Sequence, residues 1–196
     1  MRPRPSCIIG IVGLPGAGKT TVASHIVKQK FTHIILSDFI REEIVRLGIR
    51  DFSRISYQRV ANQMREQVGG YVLAARAMQK IRKEHIVEAI IDGIRNVEEI
   101  VYLRRYKGFH LLGVSANARV RFERLSKRLK SDKQIHRSYA EFLREEKREN
   151  TLGSKKTGLR VRESLKEADE VVKNNKGPKT LFNAVDLVLN KWKDET

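Results

Sequence analysis

The sequence predicts an α/β protein in which a parallel β-sheet carries helices on both faces. Short apolar runs, several of them rich in β-branched residues, alternate along the chain with segments of helical periodicity. Such alternation favours parallel strands, because each helix returns the chain to the edge where the next strand begins. Ligands of these sheets collect at the carboxyl ends of the strands, so the residues that follow each strand are the first candidates for a site.

Five strands are predicted, over residues 7–12, 31–36, 86–91, 111–114 and 169–174. Helices are predicted over residues 21–27, 39–47, 57–81, 97–106, 118–129 and 179–192. The third of these contains Gly69-Gly70, a predicted bend. Residues 130–163 are polar and strongly charged, and are predicted to be helical in parts. The strand ends then bring five places together: a glycine-rich loop, Ser37-Asp38, Asp92-Gly93, Ser115 and Asn174-Asn175.

The glycine-rich loop follows the first strand and matches the pattern G-x-x-x-x-G-K-[ST] without a mismatch. Glycines let the backbone curl so that its N–H groups point at one anion, and the following helix adds its positive end. A lysine at this position reaches the β- and γ-phosphates of a nucleotide, and the hydroxyl after it ligates Mg²⁺. The pattern therefore predicts an ATP and Mg²⁺ site made of Gly13, Leu14, Pro15, Gly16, Ala17, Gly18, Lys19, Thr20 and Thr21, with Lys19 catalytic and Thr20 a metal ligand.

Asp92 ends the third strand, and Arg95 follows three residues later. An acid at the end of a strand beside a phosphate loop usually serves Mg²⁺, often through water. We therefore predict Asp92 as a metal and substrate residue and Arg95 as a catalytic and substrate-binding one. The alternative is an ordinary turn that starts a helix.

Asp38 and Arg41 follow the second strand. Asp38 is a candidate general base or part of the metal shell, and Arg41 could bind a second phosphate. The alternative interpretation is that Ser37 or Asp38 caps a helix while Arg41 is solvated.

Arg121, Arg124 and Arg128 are spaced by three and four residues, so they share one helix face. A basic segment that includes Arg148 follows them. Guanidinium groups neutralise the charge of a transferring phosphoryl group, and a basic flap would also exclude water. We predict that at least one of these arginines touches phosphate; a solvated charged stripe is the alternative.

The composition limits the function classes. The chain has 196 residues, with 40 basic and 23 acidic side chains and a net charge of +17. Residues 101–165 hold 18 Lys or Arg against 7 Asp or Glu. This excess favours phosphate-rich partners, RNA among them.

A single cysteine excludes a disulfide framework within the chain, and the five histidines lack metal-ligand spacing, so no zinc is expected. No apolar run reaches the length needed to cross a bilayer, and residues 1–5 lack the apolar core of a signal peptide. We expect a cytoplasmic protein without a membrane partner, and the oligomeric state stays open.

Together these motifs resemble those of the small P-loop monophosphate kinases, the group that contains adenylate kinase and dephospho-CoA kinase. The chain is most similar to a branch common in archaea that is described only as related to those two enzymes. The motifs that carry the resemblance are Gly13–Thr21, Ser37-Asp38-x-x-Arg41, Ile91-Asp92-Gly93-x-Arg95, Arg121-x-x-Arg124 and Ala168-Asp169-x-Val171-Val172-x-Asn174-Asn175-x-Gly177.

The resemblance implies one P-loop domain over residues 1–196, with a three-layer α/β/α fold and strand order 2-3-1-4-5. An acceptor-binding insert would span about 38–84 and a lid about 126–156. Arg41 and Arg95 would clamp the acceptor phosphate, and Arg121 and Arg124 would belong to the lid helix. The Asn174–Gly177 loop would lie under the donor adenine, with Asn175 and Gly177 as binding residues.

The implied activity is transfer of the γ-phosphate of Mg·ATP to a nucleoside monophosphate-like acceptor. Two alternatives stay open. One is transfer to a hydroxyl, as in dephospho-CoA kinase, with Asp38 as the base. The other is an adenylate-kinase-like ATPase that acts on RNA or a ribosomal particle.

Overall fold

The computed structural model describes residues 7–128, 138–156 and 161–194, and for residues 148–156 it describes the backbone alone. The strands are β1 (Cys7–Val12), β2 (Thr32–Ile35), β3 (Glu88–Asp92), β4 (Phe109–Ser115) and β5 (Glu170–Lys173). The helices are α1 (Lys19–Val27), α2 (Leu36–Arg46), α3 (Arg54–Val68), α4 (Val72–Lys83), α5 (Val97–Leu103), α6 (Ala118–Arg128), α7 (Tyr139–Lys156), α8 (Val161–Lys166) and α9 (Pro178–Asp194).

The five strands form one parallel sheet of order β2-β3-β1-β4-β5, which confirms the predicted fold class and strand order. The register aligns the strand ends at one edge. Ile35 of β2 lies beside Asp92 of β3, and Ser115 of β4 lies beside Lys173 of β5. The segments that follow β2, β3, β4 and β5 therefore begin at the same edge as the glycine-rich loop that follows β1.

Alternation along β1 explains the two layers of helices. Its side chains point to opposite faces in turn, so Ile8 and Val12 join one core while Ile9 and Ile11 join the other. The first core is built with α2, α3, α4 and α5, and the second with α1 and α9. Helix α9 buries Leu181, Val185, Leu189 and Trp192 along one stripe, as its periodicity predicts.

The segment between β2 and β3 departs from the prediction in two places. The single helix expected over residues 57–81 is two helices, α3 and α4, because Gly69 has φ +122° and ends the first helix. Residues 36–38 were expected to precede a helix, but α2 already begins at Leu36. Ser37 and Asp38 therefore lie in the first turn of α2 and do not cap it, and the cap position Ile35 offers no side-chain acceptor.

The chain from β4 onwards is close to the prediction. Strand β4 begins two residues earlier than expected, at Phe109, and α5 ends three residues earlier, at Leu103. The charged segment after α6 is helical in part, with α7 and α8 between β4 and β5. Residues 129–137 of the predicted lid lie outside the described residues.

Candidate functional site: a phosphate-binding loop and its surroundings

The glycine-rich loop joins β1 to α1, and its conformation requires glycine. Gly16 has φ +77° and Gly18 has φ +105°, both in the region that side chains avoid. A Cβ on Gly16 would lie 2.8 Å from the carbonyl oxygen of Arg121, and one on Gly18 would overlap Nδ2 of Asn174. The start of α6 and the end of β5 are therefore in direct contact with the loop.

Lys19 begins α1 and folds back over the loop. Its Nζ donates to the carbonyl oxygen of Gly13 at 2.7 Å and to that of Leu14 at 3.4 Å. Burial lowers the pKa of this ammonium, the nearby Asp92 carboxylate raises it, and the positive charges of Arg95 and Arg128 lower it further. The charges of Asp92, Arg95 and Arg128 therefore all act on the Lys19 ammonium.

The first turn of α1 is open to solvent. Its cap, Gly18, has no side chain to satisfy the first N–H groups, and no acidic residue lies in that turn. Thr20 and Thr21 are both exposed there. An anion can therefore approach the positive end of the helix, with the two hydroxyls beside it.

Asp92 ends β3 at the same edge of the sheet, and its side chain is 17% exposed. The ring nitrogen Nε2 of His33 lies 3.8 Å from Oδ2 of Asp92, too far for a hydrogen bond, and is buried without a partner. His33 therefore does not hold the Asp92 carboxylate through a hydrogen bond. The sequence did not single out His33, because a lone histidine in a strand carries no motif.

Asp38 and Arg41 lie on α2 with exposed side chains. The guanidinium of Arg41 lies 5.8 Å from the centre of the Phe52 ring, in the loop before α3. The side chain of Arg95 is exposed as well, in the turn after β3. The structure thus places these three predicted acceptor residues in segments that follow neighbouring strands, β2 and β3.

Arg121 is the most buried of the predicted arginines. Its side chain is 4% exposed and forms a two-pronged ion pair with Glu146 of α7. Its Nε also donates to the carbonyl oxygen of Ala116 at 3.1 Å, and the guanidinium lies over the ring of Phe142. In this conformation Arg121 joins α6 to α7 beside the loop.

Arg124 spans the outer side of the loop. Its Nη1 donates weakly, at 3.4 Å, to the carbonyl oxygens of Gly16 and Ala17. Its Nη2 donates to the carbonyl oxygen and to Oδ1 of Asn174, at 3.0 and 3.1 Å. Asn174 is 5% exposed, and its own Nδ2 donates to Ala17 at 2.8 Å. Arg124 and Asn174 therefore join the loop to the end of β5.

Asn174 lies in the loop that the resemblance places under the donor adenine, but only Asn175 and Gly177 of that loop were predicted as binding residues. Its exposed neighbour Asn175 bonds instead to the turn after β4, where Oδ1 accepts from the backbone N–H of Asn117 at 2.9 Å. Gly177 has φ +101° and precedes α9. Arg148 lies in α7, and its side chain is outside the described residues.

A second site component that the sequence analysis missed is Glu99, at the start of α5. It is fully buried, and its Oε2 accepts from the backbone N–H groups of Arg95 at 2.9 Å and Asn96 at 3.2 Å. Nη2 of Arg65, on α3, lies 3.9 Å from its Oε1. Burial raises the pKa of Glu99 to about 7, although the Arg95 N–H, the charge of Arg65 and the Asn96 N–H each lower it. The spacing Asn96-x-x-Glu99 fits a capping box and was a readable signal.

Comparisons with known proteins agree with this architecture. A model of the AAA domain family AAA_18 matches residues 9–152. The chain belongs to this AAA domain family. It is also 32% identical over 147 residues to a UPF0200 protein of the archaeon Methanothermobacter thermautotrophicus, covering 74% of this chain and 73% of that protein. The resemblance to P-loop kinase-like proteins of archaea, inferred from the motifs, is thus confirmed at family level.

Solved structures share the fold. TT1252 of Thermus thermophilus superimposes with a TM-score of 0.61 at 20% identity, covering 97% of this chain and 98% of that one. Shikimate kinase from Acinetobacter baumannii, solved with shikimate, superimposes with a TM-score of 0.56 at 13% identity, covering 100% and 96%. At these identities the likeness establishes a P-loop kinase fold. None of the helices in the described residues has both the length and the apolar character that a membrane crossing needs.

The residues present fit a nucleoside triphosphate with Mg²⁺. Glycines with left-handed backbone angles curl the loop, and the Lys19 ammonium lies against a carbonyl oxygen of that loop. The start of α1, which follows directly, has no side-chain cap. The Thr20 hydroxyl and the Asp92 carboxylate are hard oxygen donors of the kind that Mg²⁺ prefers.

Proposed function

We propose that the protein is an ATP-dependent phosphotransferase that moves the γ-phosphate of Mg·ATP to the phosphate of a nucleoside monophosphate-like acceptor. The observation that carries the proposal is the geometry of the phosphate loop, in which left-handed glycines lead into α1 and Lys19 Nζ lies against the loop backbone. Membership of the AAA domain family and the P-loop kinase fold support it.

On the donor side, Mg·ATP would supply the transferable phosphoryl group and a divalent charge beside it. The backbone of Gly13–Thr20 and the start of α1 would hold its phosphates, while Thr20 and Asp92 would hold the metal. Lys19 would leave the carbonyls of Gly13 and Leu14 and place its charge against the phosphates. Asn175 and Gly177 follow β5 and would lie near the base.

On the acceptor side, Arg41 and Arg95 would clamp the acceptor phosphate. A phosphate acceptor is already an anion, so positioning and charge neutralisation carry the reaction without a general base. The proposed insert over 38–84 and lid over 126–156 would close around the two substrates and exclude water. Arg124, Arg121 and Arg148 would contribute positive charge on the lid side.

The test is a panel of ribo- and deoxynucleoside monophosphates plus dephospho-CoA, each assayed for ADP formation from ATP. At least one monophosphate should be turned over with Mg²⁺ present. Lys19→Ala should lower kcat/KM for that substrate by about 10²–10³-fold, about 3–4 kcal/mol of transition-state stabilisation. Lys28→Ala, which removes an exposed lysine just after α1, is the matched control and should match the wild type. An inactive wild type, or an active Lys19→Ala, would contradict the proposal.

A further inference from the structure

Two buried polar atoms between α3 and the start of α5 have no partner. They are Nε of Arg65 and Oε1 of Glu99. Buried polar groups are nearly always hydrogen-bonded, and an unpaired one needs a physical reason. The two side chains approach only to 3.9 Å, through Nη2 of Arg65. This separation is too long for a hydrogen bond, so the pair is held together loosely.

The position of this pair connects it to the acceptor side. Glu99 holds the turn that carries Arg95, because its Oε2 accepts from the backbone N–H groups of Arg95 and Asn96. Arg65 lies beside the other oxygen of the same carboxylate. One carboxyl group therefore separates the guanidinium of Arg65 from the backbone of a predicted acceptor-binding residue.

The charge of Arg65 is not fully matched at this position. Burial raises the pKa of Glu99 to about 7, so near neutral pH a substantial fraction of its carboxyl groups is uncharged. The side chain of Arg65 is 14% exposed, so part of it can be reached from outside. A partly exposed guanidinium whose acidic partner is weak is suited to bind an incoming anion.

A glycine pair follows Arg65 in the chain and sets where α3 ends. Arg65 lies in the last turn of α3, and its carbonyl oxygen accepts from the N–H of Gly69 at 2.7 Å. Gly69 has φ +122°, and a Cβ on Gly70 would overlap the carboxylate of Glu98. The glycine pair therefore ends α3 beside the start of α5, close to Arg65 and Glu99.

We propose that Arg65 is an additional anion-binding residue of the acceptor site, held beside the buried carboxyl of Glu99 until the phosphate of the acceptor replaces that weak contact. This inference rests on the proposed function and assigns a third arginine to the acceptor, next to Arg41 and Arg95. It implies an acceptor whose anionic group is gripped from α3 as well as from the turn after β3.

The experiment compares Arg65→Gln, Arg65→Lys and Arg59→Gln with the wild type. Arg59 is an exposed arginine on the same helix and serves as the control. Arg65→Gln should raise the KM for the monophosphate found by the panel by about 10–100-fold, with the KM for ATP within about twofold of the wild type. Arg65→Lys should be intermediate, since lysine keeps the charge but not the planar fork. Arg59→Gln should be unchanged.

Binding measured without turnover separates recognition from folding. Each folded variant, loaded with Mg²⁺ and a non-hydrolysable ATP analogue, is titrated with AMP, CMP, GMP and UMP by calorimetry. Arg65→Gln should weaken the monophosphate affinity by the same factor as it raises KM. An unchanged acceptor affinity, or an equal loss for ATP and acceptor, would overturn the role of Arg65 while leaving the kinase assignment intact. A wild type that turns over none of the acceptors would remove both.

Discussion

At the scale of single residues, one group of side chains contacts the phosphate loop, and a second group is exposed and is proposed to bind the acceptor. Lys19, Arg124 and Asn174 all bond to carbonyl oxygens of the loop. Asp38, Arg41 and Arg95 are exposed. The first three side chains therefore stabilise the shape of the loop, and we propose that the exposed set selects the acceptor.

Asp38 distinguishes transfer to a phosphate from transfer to a hydroxyl. A hydroxyl acceptor must lose a proton, so it needs a base, whereas a phosphate acceptor does not. Asp38→Asn should therefore lower kcat by less than about fivefold on a nucleoside monophosphate, but by about 10²-fold or more on dephospho-CoA. Steady-state kinetics on both substrates provide the measurement.

Glu42→Gln is the matched control for Asp38→Asn, because Glu42 is an exposed acid one turn further along α2. It should leave both activities unchanged. Small and equal losses for Asp38→Asn on the two substrates would exclude Asp38 as a base.

At the scale of elements, prediction from sequence succeeded where the chemistry is local in the chain. The strand, loop and helix around Gly13–Thr20 could be predicted because every part of that phosphate site lies within about 20 residues. The contacts of Asn174 with Ala17, and of Arg121 with Glu146, join residues 157 and 25 positions apart. No local pattern specifies such pairs, so they had to come from the packing of α6, α7 and β5.

The division of the predicted helix over 57–81 also depends on contacts that the local sequence does not specify. Gly69-Gly70 indicated a bend, but a bend and a complete break look alike in sequence. A Cβ on Gly70 would overlap the carboxylate of Glu98 on α5, so a side chain there would have to displace that carboxylate. A neighbour in the tertiary structure therefore favours glycine at this position.

The start of α5 should make stability depend on pH through Glu99. Its pKa is about 7 in the folded protein and near 4.5 when exposed, so between these values the folded state binds more protons than the unfolded state. Stability contributed at this position therefore falls as pH rises from about 4.5 to about 7, by about 3 kcal/mol in all. Glu99→Gln keeps an acceptor for the turn but cannot ionise, and should lose this dependence.

Urea unfolding at pH 5 and pH 8 measures the effect. From pH 5 to pH 8 the free energy of unfolding of the wild type should fall relative to that of Glu99→Gln, because only the wild type must keep a buried charge at residue 99 at pH 8. Glu98→Gln, an exposed neighbour in the same turn, is the control and should follow the wild type. Parallel curves for Glu99→Gln and the wild type would show that Glu99 carries no such cost.

At the scale of the whole molecule, the net charge is +17, whereas the proposed phosphotransfer uses only a few of the basic side chains. Many basic side chains are engaged: Arg76 pairs with Glu43, and Arg104 with Asp169. Such pairs leave the excess charge itself unchanged, and 11 of the 17 net charges fall within residues 101–165. An excess of this kind attracts any polyanion, and the alternative of an RNA-dependent ATPase follows from it.

Salt dependence separates attraction by net charge from recognition of RNA. Non-specific binding to single strands weakens steeply with salt, because each neutralised phosphate releases counterions. For the kinase we expect filter binding of a single-stranded RNA of about 20 nucleotides to be measurable at about 50 mM KCl and weaker than about 1 µM near 150 mM. ATP hydrolysis without an acceptor should not respond to that RNA. The opposite result would be tight RNA binding that persists near 150 mM KCl, together with RNA-stimulated ATP hydrolysis in the wild type but not in Lys19→Ala. That result would assign the nucleotide loop to a switch acting on RNA, because it would show that RNA binding changes the rate at which the γ-phosphate is cleaved.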